Sequence, residues 1–179
     1  EVERLKPEAL IFSGSPYSCY EKSAPQVHKE IYDLGIPTLG ICYGMQLIAH
    51  QLGGKVTSHQ KKQFGKIQLQ IKKSLLFKDI VRKGHDKDIL PTVWFSHGDA
   101  VDVLPRNFEN IAETPFVPNA GFENKRKKIY GIQFHPEVTH TFRGNQILSN
   151  FLFEVANADR DWDLKEIKSE IIKDLKKKY

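Results

Sequence analysis

Thr38-Leu39-Gly40-Ile41-Cys42-Tyr43-Gly44-Met45-Gln46 is the stretch on which the fold turns. Ile36, Thr38, Leu39 and Ile41 read as a buried strand. Met45, Leu47, Ile48 and Leu52 then recur at helical spacing, so Cys42 falls on a strand-to-helix turn. The small-x-nucleophile-x-small pattern has the form of a nucleophile elbow, in which glycines permit a sharp, strained turn that lifts the reactive atom clear of the backbone. A thiol at that place faces the positive end of the helix dipole, which favours thiolate over thiol. A lone cysteine is otherwise among the most commonly buried residues, so the reading depends on the partners it finds.

A nucleophilic cysteine needs a base and a group that orients the base. Lys128-Ile129-Tyr130-Gly131-Ile132-Gln133-Phe134 reads as a strand running into His135-Pro136-Glu137, and Pro136 bars helix there. In an extended segment residues two apart point the same way, which puts Glu137 beside the His135 ring. The pattern predicts a triad in which Cys42 attacks, His135 is general base and then acid, and Glu137 fixes the tautomer. Oxyanion donors are expected from the turn Ser13-Gly14-Ser15-Pro16, which follows the short strand Ala9-Leu10-Ile11-Phe12, and from the amide of Tyr43. Gly14 and Ser15 are the expected donors in that first turn. Gln46, four residues after Cys42, lies one turn up the same helix face and can reach a substrate over the thiol.

Around these motifs the chain has the organisation of an open α/β sheet with a β-rich middle. Pro25 to Leu34 reads as a helix with Val27 and Ile31 inward, closed by Gly35-Ile36-Pro37. From Gly54 to Gly121 come short alternating segments such as Lys66-Ile67-Gln68-Leu69-Gln70-Ile71. Within this stretch Ser96-His97-Gly98-Asp99 follows the apolar strand Thr92-Val93-Trp94-Phe95, and Ile147 to Val155 reads as a closing helix. After Ala158, Leu164, Ile167, Ile171 and Leu175 mark an amphipathic stripe on a charged helix capped by Asp163.

The 179 residues, 40% of them hydrophobic, suffice for one α/β core. No apolar run approaches the roughly 20 residues of a membrane span. Cys19 and Cys42, the two cysteines, are in no metal-like spacing, and no metal site is expected. A free nucleophilic thiol suits a reducing cytoplasm, and Cys19 reads as a bystander. The formal charge of +5 concentrates in Lys61 to Lys83 and Lys125-Arg126-Lys127-Lys128. Neither stretch carries the interleaved aromatics of a stacking platform, so both read as solvated loops and hairpins and nucleic acid is not expected as a partner.

Gly40-Ile41-Cys42-Tyr43-Gly44-Met45-Gln46, Trp94-Phe95-Ser96-His97-Gly98-Asp99 and Gln133-Phe134-His135-Pro136-Glu137-Val138 together resemble the class I, triad-type glutamine amidotransferases. Tyr43, the Ser-His-Gly-Asp block and Val138 most resemble the amidotransferase domain of GMP synthetases. The resemblance covers roughly residues 5 to 175. It implies a flavodoxin-like fold with an open, mostly parallel twisted sheet and flanking helices. It also implies hydrolysis of L-glutamine at Cys42 through a glutamyl thioester, with ammonia released for conversion of XMP to GMP. Gln46 would hold the substrate, the backbone around Ser96, Gly98 and Asp99 would grip its α-amino and carboxylate groups, and His97 would form the site wall. No cofactor is implied in this domain, ATP and Mg2+ belonging to a partner ATP-pyrophosphatase (synthetase) domain.

Two departures stand out. Family members have two glycines before the proline of the first turn, whereas here Gly14 is followed by Ser15. Either φ is negative at Ser15 or a looser oxyanion hole carries a strain of about 1 to 2 kcal/mol. The family also begins with a further strand and helix, and this first strand and helix are expected to be absent from this sequence. Residues 1–157 are then the amidotransferase domain, and 158–179 a linker and helix leading toward the synthetase, or a solvated terminal helix. The glutaminase of another class I enzyme and a catalytically silent binding or regulatory relative are the alternatives.

Overall fold

A computed structural model describes residues 2–81, 90–160, 172–173 and 175–176, with backbone alone at 59–63. A short helix α1 (Val2–Leu5) leads to β1 (Leu10–Phe12), a 3-10 turn at Lys29–Asp33, β2 (Thr38–Ile41) and α2 (Tyr43–Gln51). The middle holds β3 (Lys55–Gln68), β4 (Gln70–Ile71), β5 (Thr92–Val103) and β6 (Glu109–Glu113). Then come β7 (Gly121–Asn124), β8 (Ile129–Ile132) and α3 (Gly144–Ser149), which continues as a wider π-helical turn to Val155.

The main sheet is open and runs β1-β2-β8-β7-β6-β4. β1, β2 and β8 are parallel, in register Phe12↔Gly40 and Gly40↔Gly131. β7, β6 and β4 continue the sheet antiparallel, so the β-rich middle completes a mixed sheet and also forms a separate ribbon of β3 and β5. β2 is buried at all four positions, as a strand covered on both faces must be. Alternation along the strands sends Leu39, Ile41, Tyr130 and Ile132 into a core with Ile147 and Phe151, while Ile129 joins Met45 and Ile48 in a second core. α2 is buried from Tyr43 to Ala49, which is how a helix with little polar character comes to rest against a sheet. Among the described residues no helix is long and apolar enough to cross a membrane.

The structure corrects several sequence expectations. Pro25 to Leu34 is not a full helix. Only Lys29–Asp33 is helical, because the carbonyls before it are engaged elsewhere: Tyr43 donates its hydroxyl to Pro25 O, and Gln51 donates Nε2 to Val27 O at 2.8 Å. The segments of the middle are not uniformly short, since β3 runs for 14 residues and β5 for 12. Ser96-His97-Gly98-Asp99 lies inside β5 rather than after a strand, paired across an irregularity in β3 between Ser58 and Gln63. Lys125 to Lys128 forms the β7–β8 turn, while Lys61, Lys62, Arg82 and Lys83 of the other basic stretch lie outside the residues described in full. The cap Asp163 and the stripe positions Leu164, Ile167 and Ile171 lie outside the described residues; Leu175 is described and exposed.

Candidate active site

Three neighbouring parallel strands deliver the site. Their carboxyl ends lead into Ser13-Gly14-Ser15, Cys42, and Gln133 to Glu137, so the sequence motifs converge on one edge of the sheet, where open α/β sheets bind ligands. Cys42 does not adopt αR geometry: φ is 53° and ψ −107°, and the helix begins at the next residue. The turn is therefore strained at the cysteine itself. Gly40 and Gly44 serve a different purpose from turn flexibility. A Cβ on Gly44 would stand 2.1 Å from Phe12 O, and one on Gly40 2.6 Å from the Gly44 backbone. They are glycine because strand β1 and the first turn of α2 pass through the space that side chains would fill.

The His135–Glu137 pair forms as the spacing predicts, with His135 Nδ1 and Glu137 Oε1 2.7 Å apart. Thr141, which sequence reasoning did not single out, fixes the histidine backbone. Its hydroxyl donates to His135 O and accepts from the Trp94 amide, while the His135 amide donates to Trp94 O at 3.0 Å. The loop after β8 is thus stitched to β5. Gly14 stands between base and nucleophile: a Cβ there would lie 3.2 Å from His135 Cε1 and 3.9 Å from Cys42 Cβ. Ser15 is not among the residues with positive φ, so the first of the two alternatives for this turn holds and Ser15 costs no left-handed strain. Its Oγ accepts from the Tyr17 amide at 3.3 Å.

The hydrogen bonds of the thiol go to groups other than the imidazole. Cys42 Sγ lies 3.8 Å from Ser96 O and receives Gln133 Nε2 at 3.8 Å. Burial pushes the Cys42 thiol up to about 11, with Glu137 and Asp99 adding to the rise and the Tyr43 amide and Gln133 opposing it. The thiolate expected from the helix dipole is thereby corrected: desolvation of a residue only 5% exposed outweighs the dipole.

Cys42 opens onto a cleft of about 400 Å³ whose lining includes Ser15, Gln46, Ser96, His97, Gly98 and Asp99, residues the sequence singled out. Gln46 is buried, its Nε2 donating to Asp99 O at 2.9 Å and to Gln133 Oε1 at 3.3 Å. His97 contributes a wall, its Nδ1 on Asp99 O and its ring tilted against Phe95 at 5.3 Å between centroids. The aromatic rim of Tyr17, Tyr20 and Phe64 was not anticipated. Tyr20 reaches in, its hydroxyl donating to Asp99 Oδ1 at 3.2 Å. Cys19 is buried outside this lining, next to Tyr43 in the second core. Among the described residues no three His, Cys, Asp or Glu side chains gather as a metal centre would need.

An open α/β sheet with a cysteine elbow, a carboxylate-paired histidine and a polar cleft defines a class of thiol-dependent enzymes. Residues 1–155 match the model of the glutamine amidotransferase class-I family, and the chain belongs to that family. It is 45% identical over 179 residues to the GMP synthase [glutamine-hydrolyzing] of Clostridium botulinum and 44% identical over 177 residues to that of Aquifex aeolicus. Each alignment takes in 99% of this chain and 34% of the relative, so the chain spans about a third of the length of the curated relatives it matches. The crystal structure of a GMP synthase component from Thermoplasma acidophilum superposes with a TM-score of 0.67 at 29% identity, over 84% of this chain and 73% of that one. A glutamine amidotransferase from Thermotoga maritima shares the fold, with a TM-score of 0.56 at 24% identity over 90% and 65% of the two chains.

Proposed function

We propose that this domain hydrolyses L-glutamine at Cys42 and supplies the ammonia to a synthetase domain that aminates XMP to GMP with ATP and Mg2+. The observation that carries the reading is that Gly14 stands against both Cys42 and the Glu137-paired His135, while Cys42 opens onto the cleft lined by Gln46 and Asp99. In the proposed step Cys42 Sγ bonds to the carboxamide carbon of glutamine. The thiol proton passes to His135 and then to the departing nitrogen, so ammonia leaves and a glutamyl thioester remains. Water, deprotonated by His135, cleaves the thioester to glutamate and restores the thiol.

The amides of Ser15 and Tyr43, with that of Gly14, receive the oxyanion, and Glu137 holds the imidazole tautomer. Gln46 and the segment Ser96 to Asp99 bind the glutamine. A raised thiol pKa suits this order of events, because the sulfur stays protonated until substrate and base are both in place. Residues 1–157 form the glutaminase domain in this reading, 158–179 lead toward the synthetase, and the reducing cytoplasm is its compartment. ATP and Mg2+ act in the synthetase domain, not here.

Intact-mass spectrometry after treatment with a glutamine-analogue electrophile tests the assignment. One adduct at Cys42, lost in Cys42→Ala, is the expected result. An unlabelled Cys42, or equal labelling of the variant, overturns it. Stimulation of glutaminase activity by XMP and ATP in the presence of the synthetase identifies the acceptor, and stimulation by another acceptor instead would reassign it.

A further inference from the structure

Gln133, two residues before the histidine, is completely buried and directly follows β8 near the middle of the main sheet. Strand alternation separates it from Phe134, which packs into the core with Phe95. Its backbone is fixed by donation to Ala120 O at 2.9 Å. That places the carboxamide between α2 and the elbow, where both of its ends find partners: Oε1 takes the Gln46 amide at 3.3 Å and Nε2 points at Cys42 Sγ at 3.8 Å. A buried amide is costly unless satisfied, and an apolar side chain of the same shape would fill the space more cheaply. Here both of its bonds go to residues of the cleft.

Resting on the assignment of Cys42 as nucleophile, we propose that Gln133 is a positioning residue of this reaction: one carboxamide fixes the substrate-facing side chain of Gln46 and donates to the sulfur as negative charge develops on it. A neutral N–H donor to a sulfur gains strength when the sulfur is anionic, so the contact is worth more to the thiolate than to the thiol. Among the described residues the other charged or titratable groups around Cys42 are His135 and Glu137 from the loop after β8, His97 and Asp99 from β5, and Tyr17 and Tyr20 across the cleft. The two carboxylates oppose ionisation, and Gln133 works against them together with the Tyr43 amide.

The test is the rate profile of Cys42 alkylation by iodoacetamide, read by mass at the Cys42 peptide in the full chain without glutamine, for Gln133→Met and Gln133→Glu. Gln133→Met removes the donor, and alkylation between about pH 7 and 9 is expected to slow roughly tenfold, the effect of one pKa unit. Gln133→Glu keeps the shape but replaces the donor with a carboxylate, and is expected to slow it further. The glutaminase kcat should fall by roughly tenfold or more while KM changes less, since the contact matters most when the sulfur carries charge. Alkylation profiles that coincide with wild type overturn the proposal. If Gln133→Met does not fold, Gln133→Glu decides alone, by slower alkylation or an unchanged profile. Alkylation reads the Gln133–Cys42 contact whether or not Cys42 attacks glutamine, whereas electrophile labelling of the wild type reads the nucleophile assignment, so the two fail separately.

Discussion

Cys42 combines a φ of 53° with burial that pushes its thiol up to about 11, so the residue is sterically strained and its sulfur is held protonated. Strain of this kind costs on the order of 1 to 3 kcal/mol and persists only where the surroundings over-determine it. In the proposed mechanism activation falls to His135, whose ring is oriented by Glu137. Glu137→Gln keeps a hydrogen bond but forfeits the charge that supports imidazolium, and kcat for glutamine is expected to fall roughly tenfold to a hundredfold in steady-state assays. Glu137 is half exposed, which argues for a smaller loss than a buried carboxylate would give. In the same proposed mechanism Tyr20 bears on glutamine binding instead. Without its hydroxyl the Asp99 carboxylate loses its lateral support, so Tyr20→Phe should raise KM for glutamine by about threefold to tenfold, as loss of a single hydrogen bond does, with kcat nearly unchanged.

At the scale of elements, the site depends on how closely β1, β2 and α2 approach one another. Gly44 sits where the first turn of α2 meets Phe12 O, and neither partner is a flexible side chain. Gly44→Ala is therefore expected to destabilise the fold by about 2 to 4 kcal/mol, measured as a lower urea midpoint at unchanged slope, even though alanine favours helix elsewhere. The sequence marked both glycines as important through the elbow pattern. It could not give the reason, because the atoms they make room for belong to a strand some thirty residues earlier and to the helix that follows. The same limit explains Pro25 to Leu34. Its apolar spacing is helical, but its carbonyls are claimed by Tyr43 and Gln51 across the fold, and no local pattern carries that information.

For the whole molecule, the two buried thiols set an alkaline limit. Cys19 and Cys42 are each pushed from 9.0 up to about 11, chiefly by burial. The folded state therefore holds protons that the unfolded chain releases, so their stabilisation is complete below pH 9 and is lost as pH rises toward 11. Each thiol contributes a slope of up to about 1.4 kcal/mol per pH unit in that window. Urea midpoints should fall between pH 9 and 11 in the wild type and fall less steeply in Cys42→Ala. Equal slopes for the two proteins would show that Cys42 does not titrate with unfolding.

What the sequence determined by itself is the local chemistry: a strand, an elbow cysteine, a glutamine one helical turn on, and a histidine with its carboxylate two residues away. Helical and extended periodicities convert such spacings into geometry without knowledge of the rest of the chain. Tertiary structure decided what lies between those motifs. The thiol faces Ser96 O and Gln133, and Tyr20 holds Asp99, through contacts spanning 54, 91 and 79 residues. Such pairings depend on strand order and on the burial that follows from it. Burial is also why the helix dipole, a local effect legible in the sequence, loses to desolvation at Cys42.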